Sequence, residues 1–393
     1  MTDIFQQLGL HRIINVSGTE TERGGARVCQ EVLAVVSELC PHSVQMLELQ
    51  AAASRAIAQA YGCEAGCITG CTAGSISIAI AAAMTKCNIG RVEQLPDTTG
   101  MKDEVIVPKA HVVSYGHDVT QSVRITGARV IEIGFATELS RYQIEHAIGV
   151  QTAAALFVVS NLTPQHKITK LKDFAEICHS HGVPVIVDAA SQPDPRVYLE
   201  AGADLVLIST QKALAGLTGG VIAGRMDSVQ ACMYQQHGIG RSMKPGKETV
   251  VGAIAAIERW EKTDWDSEKI ALDKRMAEFS DRLSSLPGHS ARVVNSQVFV
   301  TVDSQKAGVS ASDIARILLN HDPMIVVWDH HAPEGELRMT LRSVSNQEAE
   351  AVYERIADIV QSGPSQVQTK GVTEGPGERM ARELSDWPDN YIY

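Results

Sequence analysis

The sequence predicts an α/β protein, with a mostly parallel sheet between helices followed by a smaller α+β domain toward the C-terminus. Two observations carry this prediction. Between about residues 45 and 225, short runs that are apolar throughout alternate with helical patterns, as in parallel strands covered on both faces. Beyond residue 225, long helical patterns mix with strands of alternating polarity. A chain of 393 residues is long enough for two domains.

The first region begins with a helix predicted over 45–61, a short strand over 67–69 and an apolar helix over 76–84. Continuous apolar runs predict further strands at 104–108, 129–133, 154–160, 184–188, 204–209 and 219–223. Helical spacing predicts the intervening helices at 119–126, 142–149 and 171–181. Because ligands of such sheets bind at the carboxyl ends of the strands, we expect the functional site along that edge.

The second region predicts the smaller domain. A long helix runs from 250 to about 286, with a break near 264–266. The later elements are a strand at 293–302, a helix at 312–320, strands at 324–328 and 335–341, and a helix at 346–361. The predicted domains are an arm over 1–44 that contributes to the small domain, a large domain over 45–256, a small domain over 257–362 and a polar, flexible tail over 363–393.

Composition restricts the class of protein. Charged residues make up 21% and hydrophobic residues 44% of the chain, a balance typical of globular proteins. No apolar run reaches the roughly 18 residues that a membrane span needs, and the N-terminus lacks the features of a signal peptide. We therefore expect a cytoplasmic protein with no membrane partner. The net charge of −11 argues against nucleic acid as a partner, because phosphates require a basic surface.

Eight cysteines are present, and the even spacing of Cys63, Cys67 and Cys71 invites a metal-site interpretation. The segment has the pattern of a helix end, a strand and a Gly-rich turn. Cysteines of cytosolic proteins are usually small buried hydrophobic residues. We therefore predict no metal.

Two charged residues follow buried strands. Asp188 ends the apolar run PVIVD, where a carboxylate is costly unless it meets a cation; helix capping is the alternative. Lys212 follows the run LVLIS and precedes a Gly-rich stretch with room for a flat ligand. A partly desolvated lysine attacks aldehydes, whereas a solvated loop lysine is the alternative. Together they predict pyridoxal 5'-phosphate (PLP), held by Lys212 as a Schiff base, with Asp188 pairing its ring nitrogen.

A Gly-rich turn, GCTAGS, opens the apolar helix after the first strand. The free N–H groups and the dipole at such a helix start bind anions. Cys71, Thr72 and Ala73 would donate N–H groups to a phosphate, and Thr72 would add its hydroxyl. Ser209 and Thr210 can supply further hydroxyls. An ordinary helix cap is the alternative.

Other polar residues are candidates with weaker signals. His111 and His117 follow the strand EVIVP and can stack on a pyridine ring or carry a proton, although a loop histidine is more often merely solvated. Ser160, at the end of another strand, can reach the ring hydroxyl. Arg338, in ELRMTL, can bind a substrate carboxylate with two hydrogen bonds. A surface ion pair is the alternative, and Arg342 is the competing residue.

Taken together, the segments resemble fold-type-I PLP enzymes, and more narrowly the selenocysteine-synthase-like group that includes bacterial D-glucosaminate-phosphate ammonia-lyases. The resemblance spans roughly residues 8–361. It rests on INVSGTETERGG, VQMLELQAAASRAIAQAYGCEAGCITGCTAGS, VIVDAASQ, ADLVLISTQKALAGLTGGVIAG, GIGRSMKPGKETVVGAIAAIERW and ELRMTLR. It implies the aminotransferase-like fold with a seven-stranded sheet, PLP as the cofactor, and active sites at a dimer interface. We therefore expect a homodimer or a larger even oligomer.

The resemblance also implies roles for single residues. Lys212 is the Schiff-base lysine and the proton shuttle, and Asp188 pairs the ring nitrogen. His117, or as second choice His111, lies against the ring, and Gln192 lies beside the ring edge. The remaining implied contacts are a phosphate cradle of Cys71, Thr72, Ala73 and Ser209, and a basic cluster of Arg241, Lys244 and Lys247 that faces substrate or the neighbouring subunit's phosphate.

The chain departs from the group in two respects. Selenium transferases carry an N-terminal RNA-binding domain before this core, whereas here the core starts by about residue 12. With the negative net charge, this makes tRNA a poor choice of substrate. Cys71 stands where the group leads us to expect Ser, Asn or Gly.

The combined prediction is a PLP-dependent lyase acting on an amino acid or amino sugar acid. Lys212 removes the α-proton, a β-substituent leaves, and ammonia and a keto acid are released. Racemisation, retro-aldol cleavage, β-replacement and transamination use the same lysine and remain alternatives. A non-catalytic, ligand-binding relic of the fold is the alternative outside enzymes, and the presence of both Lys212 and Asp188 disfavours it.

Overall fold

The computed structural model describes residues 3–363 except Gln165 and Pro193, together with Ala381, Leu384 and Ser385. Most of the predicted tail over 363–393 therefore lies outside the described residues. In chain order, the strands are β1 Ile13–Asn15, β2 Ala65–Thr69, β3 Glu104–Pro108, β4 Arg129–Ile133, β5 Thr152–Val158, β6 Val185–Asp188, β7 Leu205–Ser209, β8 Gly220–Gly224, β9 His289–Val294, β10 Gln297–Val302, β11 Met324–Val326 and β12 Glu336–Met339. The α-helices are α1 Ile4–Leu8, α2 Gln30–Leu39, α3 Met46–Tyr61, α4 Thr72–Thr85, α5 Ile89–Gln94, α6 Val119–Arg124, α7 Arg141–Ala147, α8 Leu171–Ser180, α9 Arg196–Glu200, α10 Met226–Tyr234, α11 Lys247–Lys262, α12 Trp265–Ser284, α13 Ser304–Ala307, α14 Ala311–Leu319 and α15 Asn346–Ser362. None of these helices, as far as the described ranges go, is long and apolar enough to cross a bilayer.

The chain divides into two compact units. The first, which we call the large unit, contains residues 24–263, and the second, the small unit, contains residues 3–23 and those from 264 onward. Residues 24–44, which the sequence prediction assigned to the arm, group with the large unit. The reason is that α2 packs against α11.

The predicted mostly parallel sheet is confirmed in the large unit. Its described strands run in the order β2-β8-β7-β6-β5-β3-β4. β8 is antiparallel to both of its neighbours, and the other neighbouring pairs are parallel. Every residue of β2, β5 and β7 is buried, which explains why these strands show no alternation in the sequence.

Helix α4 crosses this sheet and is buried along nearly its whole length. It contacts β5, β6, β7 and β8. The sequence predicts its start at residue 76, whereas it begins at Thr72. A helix that is apolar on all sides has no alternation of polar and apolar faces. The sequence pattern therefore does not indicate where its first turn begins. The GCTAGS segment therefore forms the cap and first turn of the helix rather than a loop before it.

The small unit contains an antiparallel sheet in the order β12-β10-β9 and a parallel pair of β1 with β11. The sequence predicts one strand over 293–302, and this prediction is wrong, because β9 and β10 form a hairpin. Asn295 and Ser296 make the turn, with φ of 49° and 56°. Asn-Ser is a weaker turn signal than Asn-Gly, and the alternation of polarity continues on both sides of it.

Candidate active site

Neighbouring strands of the large sheet end beside one another at the predicted edge. Asp188 is the last residue of β6, which lies between β5 and β7. The N–H of Val159, after β5, donates to the carbonyl of Asp188 at 2.8 Å. The N–H of Ser209 donates to the carbonyl of Ala190 at 3.2 Å. These bonds bring Asp188 and the segment leading to Lys212 to one edge of the sheet.

Asp188 is a buried carboxylate, only 5% exposed. Burial raises its pKa to about 6, while a hydrogen bond from the N–H of Ala190 and the positive charge of Lys212 act in the opposite direction. The bond from Ala190 measures 3.1 Å. Because an ionised carboxylate at such a depth needs cationic partners, this position suits a second positively charged group beside Lys212.

Lys212 extends from a tight loop between β7 and β8 and is half-buried. The hydroxyl of Thr210 donates to the carbonyls of Leu217 and Gly219, at 2.5 and 3.0 Å. The N–H of Gly216 donates to the carbonyl of Thr210 at 2.8 Å. The Thr210 hydroxyl, a predicted phosphate ligand, thus closes the loop that carries the lysine.

The first turn of α4 presents donors for which no acceptor is found among the residues that the structure describes. Cys71 caps the helix, and its Sγ accepts a hydrogen bond from the N–H of Gly74 at 3.3 Å. The N–H groups of Thr72 and Ala73 have no acceptor within the helix. Thr72 is buried, and its hydroxyl has no hydrogen-bond partner among the residues the structure describes. A buried hydroxyl is costly in that state, so this turn suits an anion that would accept from it.

Ser209 lies close to the same turn because of Gly220. Ser209 and Thr69 are the register partners of Gly220 on its two sides. A side chain on Gly220 would collide with the hydroxyls of Ser75 and Thr69, which lie 2.6 Å from each other. The Gly-rich stretch after Lys212 therefore lets β8 approach the start of α4.

The two predicted ring-contacting histidines have different surroundings. His111 is 2% exposed, and its Nδ1 accepts the N–H of Val158 at 3.2 Å. Its ring meets Phe157 edge to face, with the centroids 4.3 Å apart. Burial lowers the pKa of His111 to about 4. The imidazole is therefore neutral near pH 7, and these contacts attach it to β5.

His117 lies in a turn with Tyr115, a residue that the sequence analysis did not select. Their rings meet edge to face with centroids 4.9 Å apart. The Nε2 of His117 lies 3.4 Å from the Oγ of Ser122, and its Nδ1 lies 3.3 Å from the Oε1 of Gln121. Ser122 also acts on Tyr115, because its hydroxyl lowers the pKa of the phenol. The phenol, the Ser122 hydroxyl and the imidazole are thus neighbours.

The surroundings of Tyr115 connect it with the predicted site. Tyr115 is 38% exposed, and the burial of the rest of the side chain raises its pKa to about 12, with smaller contributions from the neighbouring Asp188, Cys71 and Asp118. Asp188 and Cys71 come from β6 and from the cap of α4, the two elements to which sequence analysis assigned the ring nitrogen and the phosphate. The available sequence signal was the tyrosine of SYGHD, in the loop after β3.

The predicted basic cluster divides into residues with different surroundings. The Nζ of Lys247 donates to the carbonyls of Cys40 and His42, each at 2.6 Å. Lys244 is exposed. Arg241 is also exposed and lines a cavity of about 570 Å³. The capping contacts of Lys247 were not predicted because α2, which ends at Leu39, was not predicted.

The segment between Arg241 and Lys244 touches the turn before α4. The carbonyl of Met243 accepts the N–H of Gly70 at 3.0 Å. A Cβ on Gly70 would lie 2.9 Å from that carbonyl oxygen. This contact lies beside the turn for which we predict phosphate binding.

Ser160 and Gln192 lie on the loops after β5 and β6. The Oγ of Ser160 accepts the N–H of Leu162 at 3.1 Å. Gln192 is half-buried, and its Nε2 lies 3.5 Å from the Oγ of Ser191. For both residues the contact with a cofactor ring remains a prediction.

The three evenly spaced cysteines occupy separate places. Cys63 donates through its Sγ to the carbonyl of Ala65 at 3.3 Å, Cys67 is buried in β2, and Cys71 caps α4. In the part of the chain that the structure describes, no group of three or more His, Cys, Asp or Glu side chains is arranged to hold a metal ion.

Arg338 belongs to the small unit, where two aromatic rings hold its guanidinium. The guanidinium carbon lies 4.5 Å from the ring centroid of Phe299 and 4.2 Å from that of Trp328. Its Nε donates to Glu336 at 2.9 Å. The bond of Nε leaves the donors of the two Nη groups, and a guanidinium can bind a carboxylate with two such donors. Arg342 is exposed.

The residues at the carboxyl edge of the large sheet suit PLP. Asp188 offers a buried carboxylate for the protonated ring nitrogen, and Lys212 offers an amine for the aldehyde. The unpartnered Thr72 hydroxyl and the first-turn N–H groups of α4 suit the phosphate. A mostly parallel seven-stranded sheet with this set of groups at its carboxyl edge defines a PLP-dependent enzyme of the aminotransferase-like fold, fold type I.

The chain belongs to the SelA family, described as L-seryl-tRNA selenium transferase, whose pattern matches residues 13–347. It is 31% identical over 366 residues to the D-glucosaminate-6-phosphate ammonia lyase of Salmonella typhimurium, covering 91% of this chain and 98% of that protein. It is 33% identical over 365 residues to the 5'-C-glycyluridine monooxygenase-decarboxylase of a Streptomyces species, covering 91% and 92% of the two chains.

Solved structures agree with the fold. The structure of a D-glucosaminate-6-phosphate ammonia-lyase superposes with a TM-score of 0.85 at 30% identity, covering 93% of this chain and all of the other. A structure of SPT with PLP superposes with a TM-score of 0.58 at 16% identity, covering 89% and 87% of the chains, and shows the fold alone. The chain is a PLP-dependent enzyme of fold type I, and PLP is its cofactor.

Proposed function

We propose that this enzyme is a lyase for an amino acid or an amino sugar acid. It removes the α-proton, eliminates a β-substituent and releases ammonia and a keto acid. The observation that carries the proposal is the buried Asp188 beside Lys212 at the carboxyl edge of the sheet. The activity named for the Salmonella relative, an ammonia lyase, supports this reaction class over the alternatives.

Asp188 sets the electronic state of the site. When bound, PLP supplies an aldehyde for the substrate's amino group and a ring that withdraws electrons from the α-carbon. Asp188 would keep the ring nitrogen protonated, because a buried carboxylate is stabilised by a cation beside it. That cation would in turn lower the pKa of Asp188 below the value of about 6 that burial produces.

Lys212 and Tyr115 would divide the proton transfers between them. The Nζ of Lys212 would accept the α-proton of the substrate. The hydroxyl of Tyr115 would protonate a leaving β-hydroxyl so that it departs as water, and Ser122 and His117 would resupply the phenol. The unsaturated amine that remains takes up water and gives the keto acid and ammonia, so the atoms balance without an oxidant.

Substrate recognition would use the guanidinium of Arg338. Its Nη groups could bind a carboxylate with two hydrogen bonds, and the nearby rings of Phe299 and Trp328 would restrict its movement. The net charge of −11 supports a small-molecule substrate rather than a nucleic acid. We also propose a cytoplasmic homodimer, or a larger even oligomer built from it.

A substrate screen tests the proposed reaction. Purified enzyme with PLP is incubated with D- and L-β-hydroxy amino acids and amino sugar acids, with and without a terminal phosphate, and ammonia and keto acid are measured. We expect both products in equal amounts from at least one compound. Lys212→Ala should release neither and should lack the Schiff-base absorbance at about 420 nm, whereas the control Lys262→Ala, at a lysine whose side chain is 75% exposed, should keep that absorbance.

Other outcomes would contradict a lyase. Exchange of the amino group with an added keto acid, without free ammonia, would identify a transaminase. Loss of optical activity without product release would identify a racemase, and release of an aldehyde would identify an aldolase.

A further inference from the structure

A short segment before α2 crosses the loop that carries Lys212. The N–H of Ala26 donates to the carbonyl of Gln211 at 2.7 Å, and the N–H of Cys29 donates to the carbonyl of Ala215 at 3.1 Å. One acceptor precedes Lys212 by one residue, and the other follows it by three. The backbone on both sides of the lysine is therefore bonded to the same segment.

This segment, residues 25–29, which we call the strap, lies so close to the loop that Gly25 has no room for a side chain. A Cβ on Gly25 would lie 2.6 Å from the carbonyl oxygen of Gln211 and 3.1 Å from its Cγ. Gln211 is only 7% exposed, and its amide oxygen accepts the hydroxyl of Thr218 at 2.5 Å. Because the nearest obstacle is backbone, a methyl group on Gly25 must displace the peptide that precedes Lys212.

Gly24 provides a matched comparison. Its φ is +82°, against +76° for Gly25, but no atom lies within 4 Å of a Cβ built on it. Alanine is strained in this left-handed backbone region at either position. The collision with the loop occurs at Gly25 alone, so the difference between the two variants isolates pressure on the lysine loop.

We infer that Gly25 is a positioning residue for Lys212, because the strap fixes the peptides around the lysine and so determines where its amine lies. Within the loop, the N–H of Ala215 donates to the carbonyl of Lys212 at 3.1 Å, and further bonds hold Thr210 and residues 216–219. The strap takes the carbonyls of Gln211 and Ala215 on either side. This inference rests on the proposed function insofar as Lys212 forms the Schiff base. Misplacing a reacting group by about 1 Å costs on the order of a hundredfold in rate, so a displaced lysine should bind the aldehyde poorly.

The test measures cofactor binding without substrate in wild type, Gly24→Ala and Gly25→Ala. Equilibrium dialysis gives the Kd for PLP, and the Schiff-base absorbance as a function of pH gives the pKa of the Schiff base. Gly25→Ala is expected to raise Kd by about tenfold or more and to shift the titration. Gly24→Ala should stay within about twofold of wild type in Kd. Both variants should lower the Tm of the cofactor-free protein through the same backbone strain, and Gly25→Ala should lower it further because only its methyl group displaces the loop.

The outcomes separate this inference from the proposed function. If Gly25→Ala matches Gly24→Ala in Kd and in titration, the inference is wrong. If wild type forms no Schiff base, or if Lys212→Ala keeps the absorbance, the proposed role of Lys212 fails instead.

A second measurement applies if Gly25→Ala does not fold. Hydrogen exchange of wild type is compared with and without PLP. We expect cofactor binding to slow exchange in peptides covering 24–30 together with those covering 209–216. Exchange in the strap that does not respond to PLP would overturn the inference.

Discussion

Among single residues, Tyr115 keeps its proton at neutral pH and is therefore available as a proton donor. Burial raises its pKa to about 12, so the phenol keeps its proton across the pH range in which most enzymes work. Ser122 is a neighbour of the phenol, and its Oγ lies 3.4 Å from the Nε2 of His117. A proton that the phenol gives up can therefore be replaced through Ser122 and His117.

Tyr115→Phe tests the proton-donor role. We expect kcat to fall by roughly 10²–10⁴-fold, the usual contribution of general acid catalysis, while the Kd for PLP stays near that of wild type because the phenyl ring is kept. Ser122→Ala should lower kcat less, since the phenol remains. Steady-state kinetics between about pH 6 and 10 give kcat and KM. Tyr142→Phe, at a ring that is 67% exposed, is the control. An unchanged kcat in Tyr115→Phe would eliminate the phenol as the donor.

The sequence was informative about charged residues that stand directly beside buried apolar runs. Asp188 and Lys212 could be selected because a charged residue directly after a buried apolar strand is unusual. Tyr115 could not be selected in this way, because a tyrosine in a loop is not unusual. Its position near Asp188 is known only from the folded protein. His111 was selected for its position after β3, yet its hydrogen bond with Val158 depends on a strand 47 residues later, which local sequence does not reveal.

Among the elements, helices α2 and α11 are joined by Lys247. Its Nζ bonds with the carbonyls of Cys40 and His42, just beyond the last residue of α2. The final carbonyls of a helix lack partners within the helix, and a cation there is favourable. Lys247 itself starts α11, where a cation opposes the helix dipole. The two bonds offset that cost.

Lys247→Met should therefore weaken the packing of α2. We expect the free energy of unfolding to fall by about 2 kcal/mol, since hydrogen bonds of a charged donor contribute roughly 1.5–3 kcal/mol. Lys244→Met, at an exposed lysine of the same segment, should change it by less than about 0.5 kcal/mol. Urea unfolding measures both. If Lys247→Met instead raises the KM for substrate and leaves stability intact, the predicted role of the basic cluster in binding substrate or phosphate is supported.

The elements that the sequence predicted well are short runs with a regular pattern of polarity. β3 and β4 were located to the residue, because each is an apolar or alternating run between clear breaks. The turn of the β9–β10 hairpin was missed because its two residues carry no glycine. The start of α4 was missed because the helix has no polar face. In both cases the deciding information was tertiary contact rather than local pattern.

On the scale of the whole molecule, contacts between distant parts of the chain were the hardest to predict. β1 pairs with β11, and Ile13 faces Met324 in the register. Each strand has three residues, too few for a pattern that stands out from loops. The predicted arm over 1–44 includes residues 3–23, which group with those from 264 onward, but its end at residue 23 and the pairing of β1 with β11 were not predicted from the sequence.

The acid stability of the large unit is governed in part by two buried groups that oppose each other. Burial lowers the pKa of His111 from 6.5 to about 4 and raises that of Asp188 from 3.8 to about 6. The stability that neutral His111 provides is present above pH 6.5 and is lost as the pH falls toward about 4. The stability that protonated Asp188 provides is present below pH 3.8 and is lost as the pH rises through about 6. Between about pH 4 and 6, the two groups change the free energy of unfolding with pH in opposite directions, and the two effects largely cancel.

Replacing one group at a time should show how the other alone changes the free energy of unfolding with pH in the cofactor-free protein. His111→Asn offers an amide oxygen to the N–H of Val158 but cannot titrate, so its unfolding free energy relative to wild type should increase as the pH falls from about 6.5 to 4.

Asp188→Asn resembles the protonated acid, so its gain in unfolding free energy over wild type should instead appear as the pH rises through about 6. That gain should reach about 3 kcal/mol, the free-energy equivalent of a pKa lying about two units above its ordinary value. Urea midpoints between about pH 4 and 8 measure both variants. Asp97→Asn is the control, because the pKa of exposed Asp97 is lowered by its bonds with Thr99 and no gain at high pH is expected from it. If Asp188→Asn is no more stable than wild type near pH 8, the carboxylate does not need the cation that we assign to it, and its proposed pairing with the ring nitrogen loses its physical basis.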